Sequence, residues 1–278
     1  MGKSAGVMRH VKRNAIWLVL IVEVLFFAIF SHGKFVSGSN LVNIMRQVSY
    51  YGIASVGMTF VILIGLLNGF MVASVGMPAL IATFASQTVF EGLAFLLTNG
   101  RPVSGFTKTY PAINFFARWT LGPVPWCAII MVLCFAVGSF ILNRSYFGRY
   151  FYAIGGNEEA SELSGILVNK MKYLIYALSG FFAGLAGIVL LSRSGSAQTT
   201  VGKGLEFDVI TCVVLGGVSV NGGVGRISGV VAGVLIIGSL TNGMILLNVS
   251  EYIQMVVKGL VLAAAVGLDC ISNKRKTN

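Results

Sequence analysis

The run Trp126-Cys127-Ala128-Ile129-Ile130-Met131-Val132-Leu133-Cys134-Phe135-Ala136-Val137-Gly138-Ser139-Phe140-Ile141-Leu142 carries no charge and no alternation of apolar with polar residues. A helix needs about 20 mostly apolar residues to cross the hydrocarbon of a bilayer, and this run comes close to that between Pro125 and Asn143. A membrane β-strand would alternate over about 10 positions, which neither this run nor Gly229 to Ile237 does. Outward from it the texture repeats. Apolar blocks at Ala15 to Phe30, Tyr51 to Ala73, Pro78 to Leu97, Pro125 to Leu142, Tyr173 to Leu191, Phe207 to Val220, Ile227 to Leu247 and Tyr252 to Asp269 make eight crossings. Of 278 residues 56% are hydrophobic and 10% charged, more apolar surface than a soluble domain of that size buries. The sequence predicts an all-α polytopic membrane protein of about eight transmembrane helices, one membrane domain over residues 1–278.

An even number of crossings puts both termini on one side, and the basic residues say which. The N-terminal tail, the 143–172 loop, Arg226 and Lys274-Arg275-Lys276 together hold 12 Lys and Arg. The opposite loops hold seven, so both termini are predicted to be cytoplasmic. The net charge of +11 is thus a matter of topology rather than of a nucleic-acid partner, because the cations sit between apolar blocks and not on one soluble face. Cys127, Cys134, Cys212 and Cys270 lie in or beside apolar spans without a CxxC pair or a histidine cluster, and are expected to be packing residues rather than disulfides or metal ligands. The first block follows a basic start (Lys3, Arg9, Lys12, Arg13), but it ends Phe27-Ala28-Ile29-Phe30-Ser31-His32 without a small-x-small cleavage pattern and is expected to remain as a span.

Many of the 35 glycines lie within spans, as in Gly180-x-x-x-Gly184 and Gly229-x-x-x-Gly233, a spacing that lets helices approach closely in lipid. Such faces serve either packing within one subunit or a contact with a second copy. The run Leu215-Gly216-Gly217-Val218-Ser219-Val220-Asn221-Gly222-Gly223-Val224-Gly225-Arg226 is too glycine-rich for a firm helix. It is either a break at membrane depth, lining protein or a water-filled cavity, or a short cytoplasmic loop.

The longest polar stretch on the predicted cytoplasmic side runs from Asn143 to Lys172, and within it lies Gly156-Asn157-Glu158-Glu159-Ala160-Ser161-Glu162-Leu163-Ser164-Gly165. Asn157 suits a helix N-cap, Glu158 and Glu159 complement the positive end of the helix dipole, and Gly165 suits a left-handed stop. Ala160, Leu163 and Ile166 recur at helical spacing, which gives a short amphipathic helix. A helix resting on headgroups would not carry three glutamates in five positions against an anionic leaflet, so docking into another protein explains it better.

The segment from Phe147 to Ile166 resembles the coupling segment of bacterial sugar permeases of the ribose-transport type, the membrane subunits of ATP-binding-cassette importers. In it Glu159-Ala160-Ser161 followed by Gly165 is similar to the Glu-Ala-Ala-x-x-x-Gly loop that such permeases insert into a cleft of their ATPase. The similarity continues through Ala177 to Gly180, Ser196 to Gln198, Gly202 to Asp208, Val213 to Gly217 and Gly222 to Ile227, and upstream through Asn40 to Ile64, Leu67 to Gly69 and Pro78 to Gly105. The resemblance implies a second permease copy, a separate ATP-binding subunit that uses ATP and Mg, and an extracytoplasmic sugar-binding protein. It also implies the bacterial cytoplasmic (inner) membrane. This chain is then a transporter subunit that binds no cofactor of its own, and it has no Gly-x-x-x-x-Gly-Lys-[Ser/Thr] phosphate loop. ATPase coupling falls to Gly156, Asn157, Glu158, Glu159, Ala160, Ser161, Leu163 and Gly165. The family pattern has ten helices. This chain passes directly from Gly65 to Leu66 where the family carries a further stretch on the order of two crossings long.

Polar residues within the spans complete the candidates. Asn68, Asp208, Thr211, Thr241 and Asn242, with Ser239, offer hydrogen bonds either to a passing sugar or between helices. Glu91 stands in the same position, and Lys258 is expected to snorkel toward a surface. Glu23 lies in mid-block, where an ionised carboxylate costs at least about 2.5 kcal/mol unless paired or wetted. It supports the rival reading of an ion-gradient-driven transporter, and the shortened sequence supports that of a transport-defective paralogue. Nothing assembles into a nucleophile, base and acid, or into a metal site.

Overall fold

The computed structural model describes residues 16–17, 19–31, 34–45, 48, 70–104, 111–198, 201–220 and 222–277, with the backbone alone for 111–113 and 271–277. Five helices among them are long and apolar enough to span a bilayer. In chain order the helices are α1 (Val19–Phe30), α2 (38–45), α3 (Ala79–Thr98), α4 (Trp126–Arg144), α5 (Tyr146–Gly156), α6 (Glu158–Leu163), α7 (Val168–Ser194), α8 (Leu205–Leu215), α9 (Ile227–Leu246) and α10 (Glu251–Thr277). A single π turn, Phe70–Ser74, precedes α3. The predicted span at Tyr51 to Ala73, with Asn68 and the Gly65–Leu66 junction, falls mostly outside the described residues.

The connections define two ends of the bundle. At one end β1 (Val103–Ser104) pairs antiparallel with β4 (Ser196–Ala197), and β2 (Thr120–Leu121) with β3 (Val124–Pro125). The Ala117 amide donates to Ser192 Oγ at 3.1 Å, and Arg118 Nε donates to the Ser192 carbonyl at 3.0 Å. Phe115, Trp119 and Trp126 cluster there with ring centroids 5.0–5.5 Å apart, the kind of aromatic girdle that sits at a membrane–water interface. At the other end lie α5, α6 and the start of α7. Ile16 and Trp17 line a cavity with Gly216, Arg226 and Gly229, and Asp269 accepts hydrogen bonds from Ser219 Oγ and the Val220 amide. Both ends of the described chain therefore lie at the α5–α6 end.

The most buried element is α9, with Val230, Ala232, Val234 and Ile237 at or near zero exposure. Its burial rests on glycine. A Cβ on Gly229 would run into the Gly216 carbonyl, and one on Gly233 into that of Cys212, so α8 and α9 touch backbone to backbone. The Gly229-x-x-x-Gly233 face is thus used within the subunit, whereas Gly184 of the other repeat faces open space. On a second side α9 meets α1 and α2: Ser239 Oγ donates to Glu23 Oε1 at 2.9 Å, and Asn40 Nδ2 donates to Asn242 Oδ1 at 2.9 Å. Interhelical hydrogen bonds in lipid contribute about 0.6 kcal/mol each, so they set register more than stability. By contrast α3 and α10 turn Leu80, Phe90, Leu97, Tyr252, Met255 and Leu260 outward, as helices solvated by hydrocarbon do.

One predicted span is half its expected length. Phe207 to Val220 reads as a crossing, but the helix runs only from Leu205 to Leu215, 11 residues. At 1.5 Å per residue that is about 16 Å against a hydrocarbon thickness of about 30 Å. Gly216 and Gly217, the latter at φ +82°, end it. Its first turn lies beside the middle of α3: Lys203 Nζ is 2.6 Å from Glu91 Oε1, and the Phe207 and Phe84 rings are 6.4 Å apart. By Lys203 the chain has therefore left the β1–β4 end and lies partway into the bundle, before α8 begins.

Candidate coupling face and polar sites of the bundle

The α5–α6–α7 end is built by local signals. Ser145 ends α4 and caps α5, its hydroxyl donating to the Ile141 carbonyl at 2.6 Å and accepting from the Gly148 amide at 3.3 Å. Phe151 and Ile154 bury one side of α5, and Tyr146 and Tyr150 face out. Asn157 then stops α5 and starts α6. Its backbone is extended, and its Oδ1 accepts from the Ala160 amide at 2.9 Å. This is an N-cap of ordinary geometry. Gly165 at φ +84° turns the chain after Ser164, as a left-handed stop requires.

The eight residues expected to form the coupling element come together in this one turn. Ser161 faces inward at 5% exposure and donates to the Asn157 carbonyl at 2.7 Å. Glu158 pairs with Lys172 of α7, which ties the first turn of α6 to the bundle. Glu159, Ala160, Glu162 and Leu163 point away from the protein, Leu163 at 85% exposure, and Leu167 is exposed beside them. One detail differs from the helical-spacing argument: Ile166 does not share a face with Leu163. The helix ends at Leu163, and the Gly165 turn redirects Ile166 inward against the buried core. Replacing Asn157 by alanine is expected to cost α6 about 1 kcal/mol. Faster amide hydrogen exchange at 158–164, with exchange in α7 unchanged, is the measurement that checks it.

The glycine-rich 216–226 turn lies against this same end. Gly222 and Gly223 abut Gly155 and Gly156, and Tyr152 Oη donates to the Gly225 carbonyl at 2.8 Å. Burial pushes the Tyr152 phenol above its usual range despite the opposing charge of Arg226, so it stays a neutral donor at any ordinary pH. Of the two readings of this turn, the structure selects a short loop at the α5–α6 end.

The polar residues expected along a pathway fall into two groups. Thr211 Oγ1 donates to the Phe207 carbonyl at 2.6 Å and Thr241 Oγ1 to the Ile237 carbonyl at 2.8 Å, each within its own helix. With Asn242, they are between 3% and 6% exposed. Asp208 stands apart: Lys258 Nζ of α10 lies 2.7 Å from its Oδ2. Lys258 therefore reaches a partner inside the bundle, and snorkelling does not describe it. Asn68 lies outside the described residues. Sequence reasoning treated Asp208 and Lys258 separately. The signal was there, since a cation and an anion in two apolar blocks each require compensation.

Comparison with known proteins places this architecture. Residues 62–266 match the family described as branched-chain amino acid transport system / permease component. The ribose import permease protein of Bacillus subtilis is 40% identical over 295 positions, which take in 91% of this chain and 89% of that protein. The L-arabinose transport system permease protein of Escherichia coli is 43% identical over 210 positions, 75% of this chain and 63% of that protein. A probable ABC transporter permease protein of Escherichia coli is 31% identical over 322 positions, 99% of this chain and 96% of that protein. No solved structure matches. The ribose and ABC permease alignments run well past the residues this chain contributes to them. About 42 positions in the first and about 47 in the second have no counterpart here, which is roughly two crossings. The arabinose alignment takes in nearly as many residues as it has positions, so its stretch is free of that gap. A family profile over most of the sequence and relatives aligned over nearly all of it show that the chain belongs to the permease family that includes the bacterial ribose and arabinose import permeases.

Proposed function

We propose that the chain is the membrane-spanning subunit of an ATP-driven importer for ribose or a related monosaccharide, with α6 as the element that an ATP-binding subunit grips. The observation that carries this is α6 itself. It is six residues long, capped at Asn157, stopped at Gly165, and tied to the bundle through Glu158 and Ser161. Its free side exposes Leu163 together with Glu159 and Glu162, and Leu167 is exposed just past the Gly165 turn, an apolar surface with acidic neighbours that fits a groove with basic edges. Under this reading the α5–α6 end and both chain termini are cytoplasmic, in the inner membrane. ATP and Mg belong to the partner, a second permease copy completes the pathway, and an extracytoplasmic sugar-binding protein delivers the substrate at the β1–β4 end.

The test is co-purification of the tagged chain with its ATP-binding subunit, followed by ribose-stimulated hydrolysis and uptake in liposomes containing the binding protein. Glu159→Lys reverses charge on the free side of α6, and Gly165→Pro forbids the φ that ends it. Both are expected to lower uptake about tenfold or more while the chain remains inserted, the range seen when a buried interfacial charge contact is broken. Wild-type uptake in both variants would sink the assignment of α6. Uptake that persisted without the ATP-binding subunit and collapsed with the proton gradient would instead favour a gradient-driven carrier. Binding of the ATP-binding subunit without any uptake would identify a chain disabled by its missing stretch.

A further inference from the structure

The contact between the end of α5 and the 216–226 turn has no slack. An ideal Cβ on Gly222 would lie 2.7 Å from the Gly155 carbonyl oxygen, and one on Gly223 would lie 2.8 Å from Gly156 Cα. Both glycines also sit at positive φ, +87° and +71°. Two backbones therefore meet directly, without side chains whose rotamers would absorb a shift of a few tenths of an ångström. Gly156 is followed at once by Asn157, the cap of α6. A displacement of the first turn of α6 reaches Gly222 and Gly223 within three residues.

Beyond the seam, the turn is itself tied together. The Ser219 amide donates to the Val224 carbonyl at 2.9 Å, the Gly222 amide to the Ser219 carbonyl at 3.1 Å, and the Gly217 amide to the Val214 carbonyl at 2.8 Å. Val218 is fully buried and packs on Gly225. Tyr152 of α5 holds Gly225 from one side, and Asp269 of α10 holds Ser219 and Val220 from the other. The turn is also the covalent link between α8, which carries Asp208, and α9, which carries Thr241 and Asn242. It thus connects one point at the base of α6 to three helices of the membrane bundle.

We infer that the 216–226 turn is a second transmission element of this permease: the Gly155–Gly156 to Gly222–Gly223 seam delivers movement of α6 to α8, α9 and α10, with Tyr152 and Asp269 as positioning residues. This rests on the reading of α6 as the site of ATPase attachment. It divides the labour between α6, which holds the partner, and the seam, which moves the helices.

The experiment uses the full complex in liposomes and reads three quantities: association with the ATP-binding subunit, ATP hydrolysis, and sugar taken up per ATP. Gly223→Ala is expected to leave association and hydrolysis in place and to lower uptake per ATP about tenfold, the scale on which single residues change coupling between sites. Gly202→Ala is the control, because Gly202 also has a positive φ, +99°, but nothing lies within 4 Å of its would-be Cβ. It shares the backbone strain and lacks the seam, so its uptake per ATP should stay within about twofold of wild type. Tyr152→Phe removes one hydrogen bond without adding bulk, and should lower the ratio several-fold with unchanged thermal unfolding. Three outcomes would overturn the inference: wild-type ratios in both Gly223→Ala and Tyr152→Phe, an equal fall in Gly202→Ala, or loss of the ATP-binding subunit from Gly223→Ala. Should the wild-type complex take up no sugar, the importer reading fails by itself, and the seam is judged by hydrogen exchange in the isolated chain. Freeing α6 from Lys172 with Glu158→Gln should then speed exchange in 216–226 and leave the start of α8 unchanged. Equal exchange at 216–226 with and without that substitution would refute the seam independently.

Discussion

Gly233→Leu is expected to abolish recovery of monodisperse protein in detergent, while Gly184→Leu is recovered and melts close to wild type. The ideal Cβ of residue 233 lies 3.0 Å from the carbonyl carbon of Cys212 and 3.1 Å from the Gly216 amide nitrogen, and still nearer the Cys212 oxygen. These are backbone atoms, and no rotamer change moves them. Overpacking a buried site usually costs about 1–3 kcal/mol because side chains shift to absorb it. Here the only relief is separation of α8 from α9, which uncovers Val213, Val214, Val230 and Val234 together. Helices in lipid associate through close packing rather than through the hydrophobic effect, so little else holds this hairpin closed. Gly184 has open space around its would-be Cβ, and a surface change of that kind falls within about 0.5 kcal/mol. Fluorescence-detected size exclusion after a heating series separates the two results. A Gly233→Leu protein that elutes and melts normally would mean that α8 and α9 do not touch as described.

The two glycine repeats show what was legible in the sequence and what was not. Both read as close-approach motifs, yet among the described residues the 229–233 repeat meets the backbone of another helix while Gly184 faces open space, because spacing says that a face is smooth and not what lies against it. The long apolar runs at Pro78 to Leu97, Pro125 to Leu142, Tyr173 to Leu191, Ile227 to Leu247 and Tyr252 to Asp269 each became one helix, since length and hydropathy alone determine that outcome in a bilayer. Phe207 to Val220 did not. Its apolar count suits a crossing, but Gly216 and Gly217 stop the helix after 11 residues, and its first turn already lies beside the middle of α3. The cap and stop of α6 were legible because Asn157 and Gly165 act within three residues of themselves. The partners of Glu23, Asp208 and Lys258 were hidden because they lie 216, 50 and 50 residues away.

The Asp208–Lys258 pair yields a prediction whose asymmetry follows from the helices that carry it. The two side chains are 14% and 22% exposed and link α8 to α10. Removing one partner of a buried pair costs about 3–5 kcal/mol, because the other charge stays behind uncompensated. The two removals are not equivalent here. Asp208 sits in the first turn of α8, where the positive end of the helix dipole still favours a carboxylate after Lys258 is lost. Lys258 is the eighth residue of α10, in the helix interior, where the backbone carbonyls are already engaged in the helix's own bonds. Asp208→Asn is therefore expected to lower the melting temperature more than Lys258→Met, and the double variant should recover most of the loss, since a neutral pair is often as stable as the ionic one. The double variant also separates the two roles left open for Asp208. If it melts like wild type and still takes up sugar, the pair is a tie between α8 and α10. If it melts like wild type and takes up none, the charge at the head of the half-length helix acts on the substrate, as helix ends inside a membrane transporter do. Equal destabilisation by the two single variants, with no recovery in the double, would mean that the charges act separately and that the pair does not hold α8 against α10.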